Sequence, residues 1–515
     1  MANLVESYLA SNGPCLTSEV SDFLIKVHRV APAAARKRVS RITYIPNPSV
    51  RKLAGITFPR KARFIYLEKD FGSPRYWVAL EHSLLTTKSV LGLALAALRE
   101  RGGLMPAEHF KIACGSPLKQ ARHLSPDTVF ERLRSANLVE MISVGGLGDC
   151  VVRVQAENYY EDMSFNVRVR LITESLLLTA VTNWIKRLGL ASYDRVITRD
   201  GPKLPQVGTF VWDLTAPSYL APLLKYSKDG EGKNGFLACD VLLGSRIDEG
   251  GIMPFIHKCQ TLRRLRNIGP CLQIFVADRY TRNAFLLAKR SGIIPATPTT
   301  LFGQEVAEGL VELTGVLRKA AASVIVPEDF DSLFKKLGKI EGAATQLRGT
   351  LFEFLAADIA RKSMAPSAVR MNRKFKTDKG NAEADVVVVR DEDSVLMIEC
   401  KGYSPYGEIP DALFKRWLQH NVPICYKAAR EHSDWKNLTI RFEFWATGRL
   451  SAESLALYEQ AKATINSNRY TIDLKRGPDV LEQCKLTKDT SIIEAFEKHF
   501  LKAEPAPADK EEDLF

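Results

Sequence analysis

The clearest hydrophobic pattern in the chain is a pair of apolar runs separated by a short acidic stretch. Val386 to Val389 is an uninterrupted β-branched run, Val395 to Ile398 is a second run, and Asp391-Glu392-Asp393 lies between them. Apolar runs of this length on either side of a polar turn are typical of two paired strands. The pattern therefore predicts a β-hairpin that begins at Asp385 and ends at Glu399-Cys400-Lys401.

The ends of this hairpin carry the candidate chemistry. Side chains alternate between the two faces of a strand, so Glu399 and Lys401 point one way and Cys400 the other. If the strands pair through the turn, Asp385 lies near Glu399, and two carboxylates and one ammonium converge at one sheet edge. Carboxylates are hard oxygen ligands that suit Mg²⁺ or Mn²⁺, and such an ion assists phosphodiester hydrolysis.

A helical pattern precedes the hairpin. The stretch from Thr345 to Lys362 has an apolar stripe that includes Leu351, Phe354 and Leu355, as expected for an amphipathic helix. Glu353 lies on this helix and is the candidate for a third carboxylate. After the hairpin, Asp411 to Gln419 predicts a further helix.

This succession of elements resembles the PD-(D/E)xK nuclease superfamily. The resemblance rests on Glu353 in a helix, Asp385 in a strand and Glu399-Cys400-Lys401 in the next strand, and it covers about residues 341–447. Ala384 departs from the proline in the superfamily's name, at a position that varies widely. A bare D-x(n)-ExK spacing also occurs by chance, so the alternatives are a solvated hairpin with charged ends and a folded but inactive core.

The resemblance implies a Mg²⁺- or Mn²⁺-dependent endonuclease with a role for each of these residues. Asp385 and Glu399 would bind the metal together with the Cys400 carbonyl. Glu353 would bind a second metal or orient water. Lys401 would align the nucleophile.

The amino-terminal region shows three short helices followed by two strand-like runs, Arg63 to Leu67 and Arg75 to Leu80. The third helix, from Pro32 to Ile42, carries four cations: Arg36, Lys37, Arg38 and Arg41. The order resembles a winged helix-turn-helix, in which the third helix enters the major groove of DNA. The alternative is a basic, solvated helix in a small α/β lobe.

The same plan repeats between Leu85 and Ala136, and two strand-like runs then flank Gly145 to Asp149. The third helix of this second copy is less basic, because two acidic side chains offset Arg132 and Arg134. We therefore expect the second copy to serve in packing or dimerisation rather than in the recognition of DNA bases.

The middle region repeats the order of the carboxy-terminal core. Its run from Ile274 to Ile293, IFVADRYTRNAFLLAKRSGI, predicts a strand, a Thr-led helix and a GI turn. This order resembles the distal half of Mrr-type restriction nucleases. The catalytic positions of the middle region do not match, because the strand reads Cys239-Asp240-Val241-Leu242 where ExK is expected. Leu242 cannot replace a lysine, although Asp213 could stand for the first carboxylate. We expect a degenerate nuclease-like domain that serves as a scaffold or clamps DNA. An unrelated α/β domain and a live second site are the alternatives.

A basic helix crosses this middle region. Four of its cations are candidates for phosphate contacts: Lys258, Arg263, Arg264 and Arg266. A solvated basic face explains the same pattern.

Composition and net charge indicate which class of molecule the protein binds. The 515-residue chain has a formal net charge of +13, which favours an anionic partner such as nucleic acid. No apolar run reaches the roughly 20 residues of a spanning helix, and the start of the chain lacks the basic region of a signal peptide. Nine cysteines occur singly without a CxxC motif, which favours reduced thiols in a cytoplasmic protein. No P-loop motif is present.

Together these patterns predict a multidomain α/β protein. The predicted parts are a winged helix-turn-helix domain (1–82), a second winged-helix-like domain (83–160), a degenerate restriction-endonuclease-like α/β domain (161–326), a PD-(D/E)xK nuclease domain (327–502) and a disordered acidic tail (503–515). The predicted function is a Mg²⁺-dependent DNA endonuclease in prokaryotic defence or DNA processing.

The expected partner is duplex DNA, and no association with a membrane is expected. A homodimer and partner defence proteins are compatible with the sequence. Asp513-Leu514-Phe515 in the tail resembles peptides that bind the bacterial sliding clamp, although an ordinary tail explains it as well. Three other functions stay open: a non-enzymatic DNA-binding regulator with a silent nuclease fold, an RNA-directed nuclease, and a structural subunit of a defence complex.

Overall fold

The computed structural model describes residues 2–42, 49–154, 160–192, 194–226, 232–265, 267–321, 326, 329–338, 340 and 342–502. The chain divides into two compact units, unit 1 (Met1–Leu301) and unit 2 (Phe302–Phe515). Both units combine helices with β-sheets, which confirms a multidomain α/β protein. The finer division into five segments stays a prediction, and the acidic tail from residue 503 lies outside the described residues.

The elements up to Phe302 comprise eleven α-helices and fifteen strands among the described residues. The helices are α1 Ala2–Asn12, α2 Thr17–Lys26, α3 Pro32–Arg41, α4 Pro74–Thr86, α5 Val90–Glu100, α6 Ala107–Ala113, α7 Pro126–Ser135, α8 Tyr160–Arg187, α9 Glu249–Arg263, α10 Arg282–Arg290 and α11 Pro298–Phe302. The strands are β1 Cys15–Leu16, β2 Val50–Lys52, β3 Phe64–Leu67, β4 Leu104–Pro106, β5 Val139–Val144, β6 Gly148–Arg153, β7 Ile197–Thr198, β8 Gln206–Val207, β9 Phe210–Val211, β10 Leu214–Ser218, β11 Lys225–Tyr226, β12 Gly232–Lys233, β13 Gly235–Ile247, β14 Cys271–Tyr280 and β15 Ile294–Ala296.

Unit 1 begins with two copies of one small plan. Each copy runs helix, strand, helix, helix, strand, strand: first α1-β1-α2-α3-β2-β3, then α5-β4-α6-α7-β5-β6. Each folds its strands into a three-stranded sheet, in the orders β1-β3-β2 and β4-β6-β5. The repetition of three helices and a hairpin that the sequence predicts is therefore present.

One predicted strand of the first copy is wrong. Arg75 to Leu80 lies in helix α4, and the hairpin is formed by β2 and β3 instead. The Ser73 hydroxyl accepts a hydrogen bond from the Tyr76 backbone N–H at 3.2 Å, and Pro74 occupies the first turn. A serine cap followed by proline begins a helix, and this local signal outweighs the strand-like alternation.

The second half of unit 1 contains a five-stranded sheet in the order β7-β10-β13-β14-β15. Strand β10 is antiparallel to both neighbours, whereas β13, β14 and β15 run parallel. Helix α8 precedes the sheet, α9 connects β13 to β14, and α10 connects β14 to β15.

Unit 2 contains the predicted hairpin. Its helices are α12 Gln304–Ala321, α13 Asp329–Leu337, α14 Ala343–Ser363, α15 Asp411–Arg416, α16 Val422–Glu431, α17 Ala452–Thr464, α18 Gly477–Leu486 and α19 Thr490–Phe496, with π-helical turns at Trp417–Asn421 and Glu497–Leu501. Its strands are β16 Ala368–Thr377, β17 Gly380–Arg390, β18 Ser394–Lys401, β19 Thr439–Ala446 and β20 Thr471–Arg476.

The sheet of unit 2 has the same plan as the large sheet of unit 1. Its order is β16-β17-β18-β19-β20, with two antiparallel pairs followed by two parallel pairs. The runs Val386 to Val389 and Val395 to Ile398 are buried throughout, because helices pack on these strands. Continuous burial explains why both runs are unbroken rather than alternating.

The helices and cysteines bear on two expectations from composition, the absence of a spanning helix and the presence of reduced thiols. Within the described residues, no helix is both long and apolar enough to cross a bilayer. All nine cysteines are free thiols; Cys271 is half-buried and the other eight are buried.

Candidate active site

The hairpin β17–β18 brings three of the predicted site residues together. Val386 pairs with Ile398 at the end of the ladder, so the next position sets Asp385 opposite Glu399. The Lys401 Nζ lies 2.7 Å from Glu399 Oε1 and 3.5 Å from Asp385 Oδ2. Two carboxylates and one ammonium therefore meet at the open end of the hairpin.

The Cys400 backbone completes this arrangement. Its N–H donates to Asp385 Oδ2 at 2.7 Å, and its carbonyl accepts from Lys401 Nζ at 3.1 Å. Burial raises the pKa of the Cys400 thiol well above its ordinary value, so the thiol keeps its proton. The carbonyl is the group that Cys400 offers to a cation.

Glu353 on α14 is the fourth predicted residue. Its side chain is half-buried, and burial, followed by the nearby Asp385 charge, raises its pKa well above the ordinary value. Across the described part of the chain, no hydrogen bond or ion pair reaches its carboxyl group. Glu353 thus lies within electrostatic reach of the cluster without a bonded partner in it.

The cluster is short of positive charge. Burial and the Asp385 charge raise the pKa of Glu399 to about 7. Burial alone would lower the pKa of Lys401, but Asp385 and Glu399 raise it above its ordinary value. A single lysine therefore holds its proton among three acids, and a further cation would stabilise them in their charged forms.

The cluster offers a divalent ion few protein ligands, and all of them are oxygen atoms. No group of three or more His, Cys, Asp or Glu side chains among the described residues is arranged to hold a metal. The oxygens on offer are those around Lys401 Nζ: Asp385 Oδ2, Glu399 Oε1 and the Cys400 carbonyl. Carboxylate and carbonyl oxygens suit Mg²⁺, which usually retains several waters and needs few protein ligands.

Sequence patterns missed one residue at this site, Asn421. Its Nδ2 donates to Glu399 Oε2 at 3.5 Å, from a π-helical turn between α15 and α16. The predicted helix ended at Gln419, but the helical path continues through Pro423. A proline inside a helix lacks an N–H and displaces the carbonyl four residues earlier, so the regular α-helical bonding is disturbed at this point. The proline was the available signal.

The basic helix α3 presents its cations to solvent. Four side chains are exposed, Arg36, Lys37, Arg38 and Arg41, whereas Ala35 and Val39 are buried. The corresponding helix of the second copy, α7, exposes Arg132 and Arg134, but Arg134 pairs with Glu131 at 2.8 Å. Helix α3 therefore carries more net positive charge than helix α7.

Unit 1 contains a second acidic cluster at the corresponding place in its large sheet. Leu214 pairs with Cys239, so the preceding Asp213 faces Asp240. The Val241 N–H donates to Asp213 Oδ2 at 2.8 Å, the same bond that Cys400 makes to Asp385. Leu242, at the position of Lys401, is buried.

The cations of this second cluster come from elsewhere in the chain. Arg199 lies 2.9 Å from Asp213 and 2.7 Å from Glu174, which is on α8. Lys258 of α9 lies 2.6 Å from Asp240. The interpretation of Lys258 as a phosphate contact is therefore wrong, because its side chain is only 1% exposed.

The other candidate phosphate contacts lie at the end of α9 and just after it, and Arg263 is exposed where Lys258 is buried. Arg263 donates to the Ser291 and Gly292 carbonyls. Arg266 lies outside the described residues.

Comparison with known proteins gives little. No family model matches the chain, and no curated protein matches it. A solved structure of restriction endonuclease FokI bound to DNA aligns over 90% of this chain and 79% of its own, with 12% identity and a TM-score of 0.19. So loose an alignment carries no argument about fold or function.

Proposed function

We propose that the protein is a Mg²⁺-dependent DNA endonuclease whose active site is the open end of β17–β18 in unit 2. The observation that carries this proposal is the position of the Lys401 ammonium among Asp385 Oδ2, Glu399 Oε1 and the Cys400 carbonyl. Those oxygens are suited to a divalent ion, and the lysine beside them is suited to a phosphate or an attacking water.

Each residue has a distinct part in this proposal. Asp385, Glu399 and the Cys400 carbonyl would hold Mg²⁺, which when bound lowers the pKa of water and neutralises charge on the phosphate. Lys401 keeps its proton because of the two carboxylates, so it aligns the nucleophile by hydrogen bonding. Glu353 has no bonded partner among the described residues and orients water or contributes to a second ion.

DNA would be bound by the exposed cations of α3. Its four basic side chains, Arg36, Lys37, Arg38 and Arg41, face solvent on a helix whose apolar side is buried. Contacts between such cations and phosphates release counterions and give sequence-independent affinity. The second copy, with its less basic α7, would pack against other parts of the protein or a partner. The setting in prokaryotic defence or DNA processing rests on analogy alone.

The direct test is cleavage of supercoiled plasmid in Mg²⁺ or Mn²⁺. We expect wild-type protein to cut and Asp385→Asn to lose at least about 10²-fold in rate, while duplex binding is retained. Asp393→Asn is the matched control, because Asp393 lies in the exposed turn at the other end of the same hairpin. Equal loss in both variants would indicate a general effect on folding.

The same assay separates the other functions. Cleavage of RNA or single strands but not of duplex DNA would make the protein an RNA-directed or single-strand nuclease. Binding without cleavage of any nucleic acid would favour a DNA-binding regulator with a silent nuclease fold. Co-purification of a stable partner from the native host would support a defence-complex subunit.

A further inference from the structure

The acidic cluster of unit 1 corresponds to that of unit 2 position by position. Asp213 and Asp240 face each other across an antiparallel pair, as Asp385 and Glu399 do. Glu174 lies on the helix that precedes the sheet, as Glu353 does in unit 2. The two clusters therefore share one backbone plan and differ in what neutralises their acids.

In unit 1 every carboxylate oxygen of the three acids has a donor. Glu174 accepts from the Leu243 N–H at 3.0 Å and from Arg199 at 2.7 Å. Asp213 accepts from Arg199 at 2.9 Å and from the Val241 N–H at 2.8 Å. Asp240 accepts from the Asp213 N–H at 3.0 Å and from Lys258 at 2.6 Å. Each of the six oxygens of these three carboxylates therefore accepts from a donor within the protein.

The two cations are as deeply buried as the acids they pair with. The exposed fraction of the side chain is 3% for Arg199 and 1% for Lys258, against 18% for Lys401 in unit 2. Lys258 also donates to the Ile112 carbonyl at 2.9 Å and lies 4.1 Å from the Trp212 ring centroid. These contacts cover the Lys258 ammonium from the side of α6 and keep it from solvent.

We propose that Arg199 and Lys258 are internal counter-ions that replace a divalent cation in unit 1, so that this cluster is a closed counterpart of the unit 2 site. It binds no metal and hydrolyses nothing. The two cations hold buried acids charged at the place where an open site needs an ion. The comparison with an open site rests on the function proposed for unit 2, and one chain then carries a single hydrolytic centre.

The test removes the guanidinium and asks whether a divalent ion takes its place. Arg199→Ala is made in the full chain together with Asp385→Asn and Glu399→Gln, which remove the two carboxylates proposed to hold the ion in unit 2. Thermal unfolding is followed in EDTA and in excess Mn²⁺. We expect Arg199→Ala to lower Tm by about 5 °C or more in EDTA and Mn²⁺ to restore at least half of the loss.

Two controls make this result specific. The background variant with Arg199 intact should show the same Tm in EDTA and in Mn²⁺. Arg199→Lys retains a positive charge and should gain no more from Mn²⁺ than the background does. Stabilisation of the background by Mn²⁺, or a folded Arg199→Ala variant that gains nothing from it, would overturn the proposal.

A second measurement covers the case in which Arg199→Ala does not fold. Equilibrium dialysis of the background variant should detect no bound Mn²⁺, whereas binding there would sink the idea of a closed cluster. Failure of the proposed endonuclease function would give a different result from failure of the closed-cluster proposal. Wild-type protein would then cut no nucleic acid, while Arg199→Ala would still gain stability from Mn²⁺.

Discussion

The two large sheets of this protein have the same strand order and carry acids at corresponding positions, yet their clusters differ in openness. In unit 2, Lys401 comes from the same strand as Glu399 and is partly exposed. In unit 1, Arg199 and Lys258 come from other elements and are buried with their acids. Unit 2 leaves its acids short of cations, whereas unit 1 supplies Arg199, Lys258 and, 3.5 Å from Glu174, Arg170.

The difference shows that acids in the right register are not enough to make a catalytic site. A hydrolytic cluster needs oxygens with free capacity and access for substrate. Burial, together with pairing to cations and to backbone N–H groups, reduces both and makes the same backbone plan a structural core. The source and burial of the cation therefore distinguish the two clusters.

The largest expected effect comes from making unit 2 resemble unit 1. Lys401→Leu copies Leu242 and should reduce plasmid cleavage by about 10³-fold, or ~4 kcal/mol in activation free energy, because no ammonium aligns the nucleophile. Mn²⁺ binding should persist, since the carboxylates remain. Leu242→Lys in the Asp385→Asn background is the reverse exchange and should restore no cleavage; activity there would show that unit 1 can be a live site.

Removing a cation from the closed cluster of unit 1 should lower the stability of the protein rather than its rate of DNA cleavage. Lys258→Met leaves Asp240 buried without its cation and should lower the free energy of unfolding by about 3 kcal/mol, as measured by urea denaturation. Adding Asp240→Leu removes the orphaned charge and should recover much of the loss. If the double variant is no more stable than the single one, the pair is not the relevant interaction.

The pH dependence of metal-free unit 2 should reveal its excess of acid. The pKa of Glu399 is raised to about 7 from 4.5, so the folded protein holds a proton that the unfolded chain releases between those values. The contribution of Glu399 to stability in EDTA should therefore be greatest below about pH 4.5 and fall by about 3 kcal/mol as pH rises to about 7. Glu399→Gln should flatten this slope, and an unchanged slope would assign it to another group.

The smallest expected effect concerns DNA binding, in which neither acidic cluster takes part. Reversing charge at Arg36, Lys37 and Arg38 should weaken duplex binding about tenfold (~1.4 kcal/mol) and make its salt dependence shallower by up to about 3 in log–log slope. Arg132→Glu with Arg134→Glu on α7 is the matched control and should change affinity less. Equal losses would move the interface away from α3.

The sequence by itself determined the hairpin, the order of elements and the candidate acids. β-Branched runs flanking an acidic turn have a local cause, and strand alternation fixes which side chains share a face. The same logic placed Asp385, Glu399 and Lys401 together and identified Leu242 as a position without a lysine. Serine-proline capping of α4 was equally local, but the strand-like alternation obscured it.

Only the tertiary structure decided which cations reach which acids. Arg199 follows β7 and reaches Asp213 across the β7–β10 pair, whereas Lys258 reaches Asp240 from helix α9 and Asn421 reaches Glu399 from a π turn. No local period in the sequence encodes those distances. Burial likewise depends on what packs over the sheet, which is why Lys258 suggested a phosphate contact yet forms an internal ion pair. Charge pairing in a folded chain is set by three-dimensional proximity and desolvation, and neither is a property of sequence spacing.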